Sequence, residues 1–146
     1  MALVRQASAE DLAAILALYR QLSPASPVLT EAQAAPAWHA ILERPGLTVF
    51  VAETDDRVAA SCTLVVTPNL TRGARPYGLV ENVVTDAAFR RRGLGRAVLE
   101  AAFQAAWEAD CYKVMLLTGR AAPVLRFYEA VGFRRGKTAF EIRPGA

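Results

Sequence analysis

The strongest constraint on the fold is the junction at residues 79–103, where an apolar segment runs through three arginines and two glycines into a helical pattern. The apolar residues before it predict a strand, and those after it recur at the spacing of a helix from Arg92 to Asp110. The first turn of a helix leaves backbone N–H groups unpaired, and the helix dipole makes that end electropositive. Gly93 and Gly95 leave these N–H groups accessible, while Arg90–Arg92 add positive charge. The junction therefore predicts a site for a small, multiply charged anion such as a pyrophosphate.

Two known glycine-rich signatures do not fit this junction. A dinucleotide-binding fingerprint needs a third glycine, and Val98 stands at that position. A phosphate-binding loop of nucleotide hydrolases needs a Lys-Ser or Lys-Thr pair after its glycines, which the junction does not contain. An ordinary strand-to-helix turn with solvated arginines remains the simpler alternative to an anion site.

The other periodic segments predict the order β-α-α-β-β-β-α-β-α-β, which is typical of a mixed sheet with helices on its faces. Residues 111–118 are almost all apolar, as a strand buried on both faces should be. A helix is predicted from Ala121 to Val131 with Gly132 at its end, and residues 133–143 close the chain with strand character. The fold class is therefore α/β (α+β), in one domain.

Composition excludes several classes of protein. A chain of 146 residues that is 53% hydrophobic is long and apolar enough for one globular domain. No apolar run could cross a membrane and no secretory signal begins the sequence, so we expect a cytoplasmic protein with no membrane partner. Cys62 and Cys111 have no metal-ligand spacing and are predicted to be buried thiols. The net charge of +3 is concentrated in two arginine-rich clusters, but neither contains the interleaved aromatic residues of nucleic-acid binders.

Two motifs resemble those of a known family. The segment VVTDAAFRRRGLGRAVLEAA resembles the acetyl-CoA-binding motif of the GNAT superfamily of N-acetyltransferases, with Arg90, Gly93 and Gly95 at the motif positions. The later FYEAVGF is similar to the family's second hallmark, a tyrosine (here Tyr128) four residues before a Gly-Phe pair. VENVV and CYKVML are similar to the glucosamine-6-phosphate N-acetyltransferase subgroup, although Asn82 replaces the usual aspartate there.

The resemblance implies a single acetyl-CoA-binding N-acetyltransferase domain over residues 1–146. Its GNAT fold would have a mixed central sheet of roughly six to seven strands, with about four helices on the faces. The enzyme would transfer acetyl from acetyl-CoA directly to a primary amine in a ternary complex, without a metal. The acceptor stays open among a small amine, an amino sugar, an amino acid and a protein amine, with a small molecule favoured. A non-catalytic acyl-CoA-binding or regulatory domain is the alternative, and a homodimer through the late strands is a further option.

The resemblance also implies which residues hold the cofactor. The pantetheine arm would pair like an added strand with the backbone of Val83 and Thr85, and an N–H near Val83 or Val84 would polarise the thioester carbonyl. Phe127 would contact the cofactor. The pyrophosphate would take backbone N–H groups of the glycine loop and first helical turn, with screening from the arginine side chains: Arg90, Arg91, Arg92, Gly93, Leu94, Gly95 and Arg96.

Two residues are the catalytic candidates. CoA leaves as a thiolate that needs a proton, and Tyr128 would donate it. Glu81 would act as general base, through water, for the acceptor ammonium, unless it forms an ion pair with Arg75. Arg75 and Tyr77 are the candidates for acceptor binding, since an arginine can hold a phosphate or carboxylate. Ala121 stands where many members of the family carry an asparagine that contacts CoA.

Overall fold

The structure is a computed structural model that describes residues 2–145. The chain divides into two units, Met1–Leu116 and Leu117–Ala146. The first unit contains a five-stranded mixed sheet. The strands follow one another across the sheet in chain order. Strands β1 to β4 pair antiparallel, and β5 joins β4 in parallel. Their bounds are β1 Leu3–Gln6, β2 Leu47–Thr54, β3 Arg57–Thr67, β4 Tyr77–Thr85 and β5 Val114–Leu116.

Four helices of the first unit surround this sheet or connect its strands, and one helix belongs to the second unit. Their bounds are α1 Leu12–Leu22, α2 Glu31–Glu43, the one-turn α3 Thr71–Ala74, α4 Leu94–Glu108 and α5 Ala122–Ala130. A single 3₁₀ turn precedes α1 at Ala9–Asp11, and another follows β4 at Ala87–Phe89.

Two neighbouring residues of β3 show that α1 and α4 cover opposite faces of the sheet. The Cys62 thiol donates a hydrogen bond to the carbonyl of Val98 in α4 at 3.3 Å. The Thr63 side chain lies beside the Tyr19 hydroxyl of α1. Successive side chains of a strand point to opposite faces, so the two helices enclose the sheet between them. Both faces of its central strands are consequently buried.

Local signals in the sequence explain where the helices begin. Thr30 and Gln33 form a reciprocal cap at the start of α2: the N–H of Thr30 donates to the Gln33 side chain at 2.9 Å, and the N–H of Gln33 donates to the Thr30 hydroxyl at 3.2 Å. Helix α4 begins at Leu94 because Gly93 precedes it with a left-handed φ of 79°. Glycine adopts this left-handed conformation without strain. The change of backbone conformation at Gly93 marks the boundary between the arginine loop and the helix.

The predicted order of elements is confirmed up to the last strand, apart from the one-turn α3, which was not predicted and makes five helices instead of about four. The strand count was wrong. Residues 2–145 form five strands rather than six or seven, because residues 133–143 enter no ladder. Phe140 and Ile142 are 91% and 93% exposed there, so the alternating pattern lacks the neighbouring strand that β-structure requires. The segment predicted as a strand over 111–118 forms a ladder only at Val114–Leu116.

Candidate functional site

The parallel ladder between β4 and β5 ends halfway along β4. Its last rung pairs Val80 with Leu116, whereas β4 continues to Thr85. On the other side, the antiparallel ladder with β3 reaches Thr85, which is paired with Ala60. Within the described part of the first unit, the second half of β4 therefore has a strand neighbour on one side only. We call the unpaired side of residues 81–85 the open edge.

A β-bulge lies at the start of the open edge. Glu81 is paired with Thr63 and Val84 with Ser61, so Asn82 and Val83 together oppose a single residue, Cys62. Asn82 has a φ of 52°, in the left-handed region. Asparagine is among the few residues that enter this region readily, because its short polar side chain can hydrogen-bond locally. The residue type at 82 thus permits the extra residue that makes the bulge.

The bulge reverses which backbone groups face the open edge. Before it, the N–H of Gly78 donates to the carbonyl of Lys113, on the β5 side, at 2.9 Å. After it, the N–H of Asp86 donates to the carbonyl of Ala59, on the β3 side, at 2.8 Å. Backbone groups alternate along a strand, so Val83 and Thr85 face the open edge. An uninterrupted strand would have turned these two residues toward β3.

The entry to α4 presents unpaired N–H groups beyond the end of β4. Gly93 stands at the N-cap and has no side chain that could accept a first-turn N–H, while its carbonyl accepts the first helical bond from Ala97 at 3.0 Å. A methyl group placed on Gly93 would meet no atom within 4 Å, so the space above the loop is open. The N–H groups of the first turn, at Leu94, Gly95 and Arg96, belong to the set that a helix leaves without an internal acceptor. Their arrangement suits an anion.

The turn between β4 and the arginine loop is fastened at two points. The Gln21 side-chain carbonyl, on α1, accepts a hydrogen bond from the N–H of Ala87 at 2.9 Å. The Asp86 carboxylate accepts one from the N–H of Ala88 at 2.8 Å. The turn is thereby held against α1, and the loop leaves it in a defined direction.

The arginines of the loop differ in how they are held. The Arg92 guanidinium lies 3.5 Å from the carboxylate of Asp55 and 5.0 Å from the ring centroid of Phe89. Arg96 forms an ion pair with Glu100 on the same helix at 2.8 Å. Arg90 and Arg91 are exposed and have no carboxylate partner among residues 2–145. The loop therefore carries uncompensated positive charge, with Arg90 and Arg91 as its source.

Glu81 stands exposed immediately before the bulge. Its carboxylate makes no ion pair with any residue that the structure describes. The proposed alternative, a pair with Arg75, is not formed. Arg75 instead donates to the carboxylate of Asp110 at 3.2 Å and to the carbonyl of Cys111 at 3.3 Å. Glu81 is thus available to water and to a ligand, while Arg75 fastens the start of β4 to the end of α4.

Tyr77 begins β4, at the opposite end from the glycine loop. Lys113 lies 5.8 Å from its ring centroid and 5.2 Å from that of Tyr112. Six residues of strand, or ~20 Å, separate Tyr77 from Val83. The predicted roles of Arg75 and Tyr77 in acceptor binding remain predictions, and they would require an acceptor long enough to span this distance.

The second unit contains the other catalytic candidate. Tyr128 lies on α5, and its ring contacts those of Phe127 and Phe133 at centroid distances of 5.2 and 5.9 Å. The N–H of Phe133 donates to the carbonyl of Tyr128 at 3.1 Å, and Gly132 follows the helix with a φ of 113°. Ala121 precedes α5 in an extended conformation, and Pro123 occupies its first turn, where proline fits.

Two features of the site were not predicted from the sequence. The first is the bulge at Asn82, and the second is the position of Tyr19, on α1, beside Thr63 and Asn82. A signal for the first was present. Asparagine is depleted in strand interiors, so Asn82 within an apolar strand indicated an irregular backbone. The position of Tyr19 beside the bulge depends on how α1 packs on the sheet, which a local sequence pattern does not predict.

A family comparison agrees with this geometry. The sequence model of the acetyltransferase (GNAT) family matches residues 13–133. The chain belongs to the GNAT family. The predicted GNAT-type acyltransferase class is therefore confirmed at the level of the family.

Individual relatives refine the comparison within the GNAT family. A solved structure from Agrobacterium tumefaciens str. C58, named provisionally as an acetyltransferase, is 49% identical with a TM-score of 0.93, covering 97% of this chain and 99% of its own. Glucosamine 6-phosphate N-acetyltransferase 1 of Oryza sativa subsp. japonica is 36% identical over 81% of this chain and 72% of its own. The glucosamine 6-phosphate N-acetyltransferase of Trypanosoma brucei brucei is 37% identical over 59% of this chain, and the match spans only 57% of that protein.

Other expectations concern cysteines, metals and membranes. Cys62 and Cys111 are free and buried, as predicted. In the described residues, no group of three or more His, Cys, Asp or Glu side chains could hold a metal ion. None of the helices at positions 2–145 has the length and apolarity to span a membrane.

Proposed function

We propose that this GNAT domain transfers acetyl from acetyl-CoA to a primary amine by direct attack in a ternary complex. The observation that supports the proposal most is the open edge of β4, which is followed, after the turn at Ala87–Phe89 and the arginine loop, by an uncapped, electropositive helix entry. An extended pantetheine arm could add to the edge as a strand, and its pyrophosphate would then reach the N–H groups at the start of α4.

The reaction would proceed through a charged tetrahedral intermediate. The amine nitrogen attacks the thioester carbon, and the negative charge develops on the carbonyl oxygen. The N–H of Val83, which faces the open edge, would donate a hydrogen bond to that oxygen, and this lowers the barrier because the donor is fixed in advance. Val84, the other residue implied by the resemblance, faces β3 instead. The C–S bond then breaks, and the thiolate of CoA takes a proton that we assign to the Tyr128 hydroxyl.

The acceptor amine must lose a proton before it attacks. An alkylammonium has a pKa near ~10, so forming the free amine at pH 7 costs roughly 4 kcal/mol. Glu81 would relay this proton through water, since its carboxylate is exposed and is not engaged in an ion pair in the described residues.

We propose an amino sugar phosphate as the first acceptor to test, because the relatives above are named for glucosamine 6-phosphate. The experiment measures free thiol release from acetyl-CoA with a panel of amines, and the mass of each product. A product heavier by one acetyl group, formed with one CoA thiol, supports the proposal. Tight acetyl-CoA binding with no amine-dependent release from any class would instead favour a non-catalytic acyl-CoA-binding domain.

A further inference from the structure

The hairpin of β2 and β3 contacts the arginine loop, residues 90–93, and the turn before it. Asp55, in the two-residue turn of the hairpin, places its carboxylate 3.5 Å from the guanidinium of Arg92. Arg57, the first residue of β3, lies 3.8 Å from the carboxylate of Asp86, where the turn after β4 begins. Both contacts join distant parts of the chain, so the hairpin is placed to hold the loop.

Phe89 is the buried point at which these contacts meet. It is 7% exposed, and the guanidinium carbons of Arg57 and Arg92 lie 5.3 and 5.0 Å from its ring centroid. Both distances are within the range of cation–π attraction. An exposed ion pair alone holds a side chain weakly. Arg92 is held more firmly, because a carboxylate and a buried ring contact its guanidinium together.

Arg92 also lies between two residues with a left-handed backbone. Arg91 has a φ of 65° and Gly93 a φ of 79°. Glycine adopts this conformation without strain, whereas arginine does not. A strained residue persists only where its surroundings hold it. The shape of the loop therefore depends on contacts with the rest of the fold, and the side chain of Arg92 makes such contacts.

We infer that Arg92 is a positioning residue through which Asp55 holds the loop, so that the first-turn N–H groups of α4 face the pyrophosphate. The Arg92 side chain is then not a phosphate ligand, in contrast to Arg90 and Arg91, whose charge is uncompensated. This role rests on the proposed function, which assigns the pyrophosphate to this helix entry. It divides three neighbouring arginines that the family resemblance treats alike.

Two roles of Arg92 predict opposite effects of removing the Asp55 carboxylate. If Arg92 bound phosphate directly, Asp55 would compete with the cofactor for the guanidinium, and its removal would tighten CoA binding. If Asp55 holds Arg92 in place, its removal loosens the loop and weakens CoA binding. The direction of the change in Kd therefore separates the two roles.

The test measures the Kd for CoA by calorimetry in Asp55→Asn and in a matched control, Asp56→Asn. Asp56 lies in the same turn, is exposed, and is left-handed with a φ of 55°, against 51° for Asp55. Both variants should fold, because asparagine tolerates this conformation. Asp55→Asn should raise the Kd about threefold, and Asp56→Asn should leave it within about 1.5-fold. An unchanged or lowered Kd in Asp55→Asn, or an equal rise in both variants, would overturn the inference.

A double variant tests whether Asp55 acts through Arg92. Arg92→Gln should raise the Kd for CoA about fivefold, since it removes both the ion pair and the ring contact. Adding Asp55→Asn to Arg92→Gln should weaken binding no further, because the partner of Asp55 is already absent. Effects that multiply in the double variant would show two independent roles and overturn the inference.

An amide measurement separates this inference from the proposed function. In the cofactor-free protein, Asp55→Asn should move the ¹⁵N and ¹H signals of Arg91 and Gly93 and speed their hydrogen exchange, whereas Asp56→Asn should not. Unchanged loop signals would overturn the inference even if the Kd rose. If the wild type binds no CoA, the proposed function fails, yet the loop signals still report whether Asp55 holds the loop.

Discussion

Val80 and Leu116 form the last rung between β4 and β5, and within the described part of the first unit the five residues of β4 that follow have a strand on only one side. The bulge at Asn82 lies two residues beyond the end of this ladder. The open edge therefore begins where the N–H groups of Val83 and Thr85 turn toward it. In the proposed account, this is the point that receives the thioester of acetyl-CoA.

Gly93→Ala should weaken CoA binding about tenfold. A methyl group would enter the open space above the loop, where the pyrophosphate is proposed to approach the N–H groups. Gly73→Ala is the matched control, because Gly73 also has a positive φ, 70°, and equally open surroundings. Both variants should lose similar stability in thermal unfolding, whereas only Gly93→Ala should lose affinity in calorimetry. Equal affinities would place the pyrophosphate elsewhere.

Tyr128→Phe should lower kcat by about 10² to 10³, because the departing thiolate would lose its proton donor. The Kd for CoA should remain within about twofold, since the phenyl ring keeps the contacts with Phe127 and Phe133. Steady-state kinetics and calorimetry measure the two quantities. A kcat equal to that of the wild type would remove Tyr128 from the mechanism.

Glu81→Gln should lower kcat/KM by about 10² at neutral pH and by less as the pH approaches the pKa of the acceptor amine, near ~10. At high pH the amine is already deprotonated and needs no base. Glu31→Gln, at an exposed glutamate on α2, serves as the control. A deficit of the same size at every pH would show that Glu81 acts in some way other than proton removal.

Arg5 forms ion pairs with Asp11 and Glu53, and we expect these pairs to make the free energy of unfolding depend on pH. Arg5 donates to both oxygens of Asp11 at 2.8 and 2.9 Å and also binds Glu53. Mainly through these hydrogen bonds, Arg5 holds the pKa of Asp11 below its ordinary value of 3.8. A lowered pKa in the folded state stabilises the protein above the unfolded pKa, and this contribution disappears as the pH falls through the folded pKa.

Asp11→Asn should therefore reduce the free energy of unfolding by about 1.5 to 3 kcal/mol at pH 7 and by progressively less below about pH 4. Denaturant unfolding across this pH range measures the effect. Glu10→Gln, at an exposed neighbour, should change stability by less than about 0.5 kcal/mol. A pH-independent difference between wild type and Asp11→Asn would contradict the assignment.

Sequence patterns predicted the elements that depend on local chemistry. The apolar strand before the arginine loop, the helix that follows Gly93 and the helix that begins after Ala121 each depend on neighbouring residues in the chain, and each appears in the structure. The final strand over 133–143 failed because alternation requires a paired neighbour as well as a suitable pattern. Tyr19 lies beside the bulge at Asn82, yet the two residues are 63 positions apart in the chain, a relationship that no short pattern contains.

Hydrogen exchange of the β4 amides, measured with and without CoA, tests the central claim most directly. Val84 and Asp86 already face β3, so CoA should change their exchange little. If the pantetheine arm adds to the open edge, Val83 and Thr85 should gain protection of about tenfold or more, together with the first-turn amides of α4. Protection of Val84 and Asp86 instead, or no change at Val83 and Thr85 at saturating CoA, would contradict the proposed site.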